Sequence, residues 1–286
     1  MTATFGREAL TSLATAYPEQ PCGLRHTITD HPLLGLDALA ALSQRMRPVD
    51  VEYNRADLPI GVDPRDVPNN GLSAIETIKE IEKCGSWMVL KFVEQDPSYR
   101  DLLRSILSDV EPAIGRSTGP MLKPEAFIFL SSPGAITPFH FDPEHNILLQ
   151  IRGSKTMTLF LCHSTAIVAS ELHEAFHAGA HRNLPWNDEH EQQAVPFTLR
   201  PGDALYVPVK APHWVRNGDM PSVSISVTWR SEWSYHEEYA HHMNRLLRRM
   251  GLRPAPPKRF PNRNWIKSTA YRALAKADRI ARSRQP

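Results

Sequence analysis

The sequence predicts a mainly β fold, a sandwich or barrel of short strands flanked by helices at both ends. Three observations carry that expectation. Between 126 and 231, short apolar runs alternate with turn residues, the pattern of many short strands. Before about 122, and again after 231, apolar residues recur at helical spacing instead. In the first stretch, Ser73 and Glu76 have capping-box spacing and open a helix along Ile75, Ile78 and Ile81 that stops near Gly85. A strand is expected over 87–93 and a second helix over 98–114, with Leu102, Leu103, Ile106, Leu107 and Val110 on one face. The Pro-, Asp- and Asn-rich segment 59–70 reads as a loop.

The middle stretch should hold strands over 127–130, 135–139, 146–151, 156–162, 197–199, 204–207 and 223–229. Its tightest turn is Arg152-Gly153-Ser154-Lys155, where glycine at the first central position suits a type II′ hairpin loop joining two antiparallel strands. An insertion over 163–195 carries His163, His173, His177, His181 and His190. His173 and His177 are spaced i,i+4, yet the segment reads as a polar surface excursion, or functionally a mobile lid, rather than a second metal site. After 231, Tyr239, Met243, Leu246, Leu247 and Met250 form one apolar face, and Pro254, Pro256 and Pro257 break the helix. A last helix over 265–282 carries the stripe Ile266, Ala270, Ala273, Leu274, Ala277 and Ile280. The expected organisation is thus an N-terminal mixed region, 1–122, packed on a barrel, 123–231, with a helical region, 232–286, behind it.

Composition narrows the function classes. With 286 residues, 22% charged and 41% apolar, the chain can bury a core and is not a disordered tract. No apolar run nears the roughly 18 residues of a membrane span, and the N-terminus, with Glu8, does not read as a signal peptide. An intracellular, cytoplasmic protein is expected. Cys22, Cys84 and Cys162 lie far apart, so neither a disulfide framework nor a zinc ribbon is supported. The net charge of +2 conceals an asymmetry: 13 of the 33 Lys/Arg follow Asn244, against one acid, Asp278, of 31. Such a basic tail suits nucleic acid or anionic lipid. Its small-residue stripe argues more for packing, on the acidic body or on a second copy.

The chemistry is concentrated in two blocks. In the first, Gly134, Thr137, His140, Asp142, Asn146, Gly153 and Lys155 follow one another closely. On a strand, residues two apart leave the same face, so His140 and Asp142 can grip one metal. Alone the pair means little, because chance supplies roughly 0.6 His-x-Asp pairs in a chain of this composition. In the second block, Gly202, Pro208, His213 and Asn217 present another histidine near a strand start.

Together the blocks resemble the paired signatures of the cupin superfamily, with Lys210 where the second block's middle glycine belongs. Asp142 stands for the second histidine and Asn146 for the glutamate, leaving two imidazoles and one carboxylate, the facial triad of non-haem Fe(II) oxygenases. The stretch 126–231 looks like the JmjC and cupin-like branch of the 2-oxoglutarate oxygenases, nearest in pattern to the asparaginyl hydroxylases. The resemblance implies a double-stranded β-helix (jelly-roll) core with N- and C-terminal helices. It implies His140, Asp142 and His213 as ligands of Fe(II), and Lys155 as the counter-charge for 2-oxoglutarate, with Thr137 and Asn146 as hydrogen-bonding helpers. The ferrous ion, one carboxylate and a dianionic keto acid leave one negative charge in excess, costly in a dry pocket unless a lysine balances it. Glu144 and His145 are expected to point away; Trp214, Thr228 and Trp229 are either pocket lining or core.

The resulting expectation is a dioxygenase that hydroxylates a protein side chain, a peptide or a small metabolite, rather than one that demethylates a histone-like tail. The resemblance also implies dimerisation through C-terminal helices. Two rival readings stand beside it: a non-catalytic cupin-like metal-binding or regulatory module, and a dioxygenase with the same triad that uses no keto acid.

Overall fold

A computed structural model describes residues 3–63, 66–115, 117–162 and 164–283. His163, the first residue of the expected insertion, lies outside them, as do Pro64 and Arg65 of the expected loop. The N-terminal region holds α1 (Arg7–Ala16), β1 (Cys22–Arg25), α2 (Leu36–Arg45), β2 (Val51–Arg55), α3 (Ala74–Lys79), β3 (Ser86–Lys91) and α4 (Pro97–Ile114). Next come β4 (Leu122–Ser131), β5 (Ile136–His140), β6 (His145–Arg152) and β7 (Lys155–Leu159), then α5 (Ser170–His177) of the insertion. The strands β8 (Val195–Leu199), β9 (Asp203–Val207), β10 (His213–Asn217) and β11 (Ser222–Arg230) complete the barrel. The helices α6 (Glu232–Arg249) and α7 (Trp265–Arg282) follow.

Two antiparallel sheets face each other, one of seven strands in the order β1-β9-β6-β11-β4-β3-β2 and one of four in the order β5-β10-β7-β8. This is the jelly-roll. Strand periodicity sorts its layers. On β11, Val223, Ile225, Val227 and Trp229 point outward into a core shared with α1, α2, α3 and α4. The alternate residues Ser222, Ser224, Ser226 and Thr228 face inward. Between the sheets, Leu148, Leu205 and Val207 meet Met157, Leu159 and Val215 of the small sheet. A third cluster, Phe139, Phe141, Phe160, Ile167, Val168 and Leu184, packs the insertion onto the small sheet.

The capping box of α3 is present as read: Glu76 N–H donates to Ser73 Oγ, and the Glu76 carboxylate accepts from the Ser73 N–H. Other expectations are corrected. The N-terminal region does not merely pack on the barrel, because β1, β2 and β3 lengthen its large sheet at both ends. The Gly153 turn is tight, with φ +66°, but β6 and β7 belong to opposite sheets, so it carries the chain across the barrel instead of closing a ladder. The insertion lies largely at the surface, as expected, but is anchored to the small sheet by its own aromatic and aliphatic cluster.

The apolar face read on α6 is not the buried one. Trp233, His236, Glu237, Ala240, His241 and Asn244 are buried, whereas Met250 is exposed. Nor does the α7 stripe pack on the body: Ile266, Leu274 and Ile280 are exposed, and Tyr271 supplies contacts to α6 by stacking on Tyr239 and His242. Two cations of the basic tail are matched to the acidic body, Arg248 to Glu171 and Glu174, and Arg259 to Glu19 and Glu237. The three cysteines are free and partly buried. No helix among the described residues is long and apolar enough to cross a membrane.

Gly153 has no room for a side chain: a Cβ there would run into the Pro221 carbonyl, and its φ is left-handed. Gly153→Ala should therefore cost about 3 kcal/mol in denaturant unfolding, strain and overlap combined. Gly134→Ala, with φ +70° but open space around it, should cost about 1 kcal/mol.

Candidate metal centre

Strand pairing assembles the site. In the ladder between β5 and β10, His213 lies directly opposite His140, so their rings meet with centroids 4.2 Å apart. Asp142 follows just past the end of β5. Its Oδ2 stands 3.7 Å from His140 Nε2 and 3.8 Å from His213 Nε2. One donor atom from each of the three lies within 4.8 Å of the others, close enough to share an ion.

Both imidazoles are held in a ligand-competent tautomer. His140 Nδ1–H donates to the Pro138 carbonyl at 2.7 Å, and His213 Nδ1–H donates to the Ala211 carbonyl at 2.9 Å. Each Nε2 is left with a free lone pair facing Asp142. Burial holds both rings neutral, His140 down to about 3, with mutual repulsion between the rings contributing to His140. For Asp142, burial pushes the carboxyl up, but Arg182 and the imidazoles outweigh it and hold it at about 2. Two neutral imidazoles and one carboxylate suit a non-haem ferrous ion.

All six residues singled out by the motifs line one cavity of about 760 Å³: Thr137, His140, Asp142, Asn146, Lys155 and His213. Lys155, 4% exposed, begins β7, two strands from β5. It pairs with Asn217, four residues along β10 from His213, about 13 Å of strand. Its Nζ donates to Ser224 Oγ at 2.8 Å, and burial pushes its ammonium down to about 7. Asn146 is oriented by Ser226, whose hydroxyl donates to Oδ1 at 2.6 Å. Thr137 lines the same wall.

Several participants are not legible in the motifs. Arg182, from the insertion, donates to Asp142 Oδ1 at 2.7 Å and leaves Oδ2 for the imidazoles. Nothing in its sequence surroundings marks it. Ser224 and Ser226 had a signal, the alternation of hydroxyls along β11. Glu144, set aside in the sequence reading, lines the cavity, and burial, with Asp142 nearby, pushes its carboxyl up to about 7. His145 does point away, bonded to Tyr206 and Ser231. Thr228 lines the cavity, Trp229 sits in the outer core, and Trp214 packs under the insertion.

Lys210 explains its own departure from the family pattern. It keeps the left-handed backbone of the missing glycine, with φ +58°. Its buried ammonium lies 3.5 Å from Glu237 of α6, which also accepts from Arg259 at 2.9 Å. Burial pushes Glu237 up, but these two cations hold it at about 2. A backbone cost of about 1–2 kcal/mol is offset by an ionic tie between the loop before His213 and the C-terminal helices.

A jelly-roll with two imidazoles and a carboxylate gathered in one cavity is the architecture of a cupin-like domain. A family profile for the cupin-like domain matches residues 76–235, and the chain belongs to that family. Jumonji C domain-containing protein 5 of Drosophila melanogaster is 32% identical over 117 residues, 35% of this chain and 26% of that protein. Lysine-specific demethylase JMJ30 of Arabidopsis thaliana is 31% identical over 114 residues, 35% of this chain and 24% of that one. The chain thus spans about a quarter of the length of these curated relatives. The X-ray structure of E. coli ycfD is similar in fold, with TM-score 0.51 and 15% identity over 92% of this chain and 66% of that one.

Because Arg182 fixes the metal-facing carboxylate, Arg182→Met should weaken Mn(II) binding about 10- to 100-fold in an EPR titration, with the unfolding midpoint little changed.

Proposed function

We propose that the protein is an Fe(II)- and 2-oxoglutarate-dependent dioxygenase that hydroxylates a C–H bond of a protein side chain, a peptide or a small metabolite. The observation that carries this reading is one cavity holding both the His140, Asp142, His213 donor set and a buried lysine, Lys155. A ferrous ion with 2-oxoglutarate, when bound, would supply the oxidising chemistry for C–H hydroxylation, one oxygen atom of O2 going to the product and the other to succinate, with carbon dioxide released.

The chain's residues bind, orient and exclude water. His140, Asp142 and His213 would hold the ion, and Lys155 the distal carboxylate of the keto acid, where a binding module would have no use for a counter-charge. Thr137 and Asn146 add hydrogen bonds. Trp87, Phe127 and Phe129 wall the cavity, while Arg182 and Asn183 of the insertion close one side. Glu125 and Glu144 also face it, and burial pushes both carboxyls up. A cationic group on the substrate would relieve that burial cost.

Purified protein with ferrous iron, ascorbate and 2-oxoglutarate should release succinate. Metal binding without any release, coupled or uncoupled, would favour the non-catalytic module. Lys155→Ala should cut turnover at low keto acid about 100-fold; unchanged turnover would favour a dioxygenase that needs no keto acid.

The pH dependence has a definite sign. Burial pushes the Lys155 ammonium down to about 7, and a bound carboxylate raises that value, so binding takes up a proton. Affinity for 2-oxoglutarate should therefore fall about tenfold per unit as pH rises past about 7, until the raised value is reached. Calorimetry in buffers of different ionisation enthalpy measures the uptake. The slope should vanish in Lys155→Arg, whose charge persists.

A second copy of the chain is the partner this reading includes, on the exposed α7 stripe of Ile266, Leu274 and Ile280. Light scattering should find a dimer, and Leu274→Glu with Ile280→Glu should yield a monomer.

A further inference from the structure

We propose that His177, Glu238 and His242 form a second metal site, independent of the first, that binds a zinc-type divalent cation and fastens the insertion to the C-terminal helices. His177 comes from α5, and Glu238 and His242 from α6. One donor atom from each lies within 4.8 Å of the others. The carboxylate is arranged as at the first site. Glu238 Oε2 accepts from Arg230 at 2.7 Å, leaving Oε1 facing His242 Nε2 at 3.9 Å.

The independent observation is a set of stranded imidazole nitrogens. His177 Nε2 is buried without a hydrogen-bond partner among the described residues, as are His173 Nδ1 and His241 Nδ1 beside it. The rings crowd together, with His173 to His241 at 5.2 Å, His177 to His241 at 5.5 Å and His177 to His242 at 5.7 Å. A buried polar atom left unpaired is costly, and an ion held at this junction would give His177 Nε2 its partner. Burial, with Lys210 nearby, keeps His173 and His177 neutral, the form that binds metal. The neighbouring cations Lys210 and Arg259 are themselves held by Glu237. Tyr271 of α7 lies flat against His242, 4.6 Å away at 4°, and steadies the ring.

Two imidazoles and a carboxylate leave a fourth position to water, which suits zinc. None of the three residues lines the substrate cavity, so the ion's part is structural. It would join α5, whose segment also delivers Arg182, to α6.

The test uses the full chain with His140→Ala and Asp142→Ala, which removes the first site and makes the result independent of the oxygenase reading. After equilibration with Zn²⁺ and buffer exchange, this double variant should retain one zinc ion per chain. Co²⁺ in its place should give the visible absorption of a four-coordinate site. Adding His177→Ala or the milder His242→Gln should abolish retention, with circular dichroism confirming the fold. Zinc at ten times its Kd should slow proteolysis within 164–194 about tenfold in the double variant, and not when His242→Gln is added. A double variant that retains no zinc, or retention unaffected by His177→Ala and His242→Gln, overturns the proposal.

Discussion

The register of β5 against β10 is the constraint on which the site depends. It sets His140 across from His213, in the small sheet of a closed jelly-roll. Two imidazoles at that separation repel if both are charged, so burial and their carbonyl acceptors must keep them neutral with both Nε2 atoms aimed the same way. Asp142 needs only to follow the strand end. A slip of one residue would turn one ring to the opposite face and leave no shared centre.

Buried charge is the second theme, and each ion is handled by a specific neighbour. Asp142 has Arg182, Glu237 has Lys210 and Arg259, and Glu238 has Arg230. Lys155 is the exception: it has a hydroxyl partner in Ser224 and, among the described residues, no carboxylate. A lysine buried with only a neutral partner is a poor contribution to stability. That is intelligible where an anionic ligand completes the arrangement.

The jelly-roll strands and the clustering of His140, Asp142 and His213 were legible because their signals are short-range: period-two alternation, His-x-Asp spacing, and a turn before His213. The edge strands β1 and β2 were not, since four or five residues such as Cys22 to Arg25 carry too little alternation to stand out, and pairing with distant strands creates them. The Gly153 turn looks the same in sequence whether its strands pair or part to opposite sheets. The buried face of α6 is not its apolar one because the helix turns polar groups inward: Glu237 pairs with Lys210 and Arg259, and the Asn244 amide donates to the Ala255 carbonyl. Arg182 and the histidines at the α5–α6 junction act across long sequence separations that no local pattern encodes.

Arg182 rides on a segment that is docked onto the barrel through side chains and through Asn183, which bridges to His140. Ion and segment are therefore thermodynamic effectors of one another. Lifting the segment away removes the hydrogen bond that orients the Asp142 carboxylate and would loosen a bound ion. Reciprocity then requires that the ion, once seated, resist that lifting by the same factor. An apoprotein should accordingly breathe more at this edge than the loaded form, so occupancy of the centre and access to it are governed by a single equilibrium.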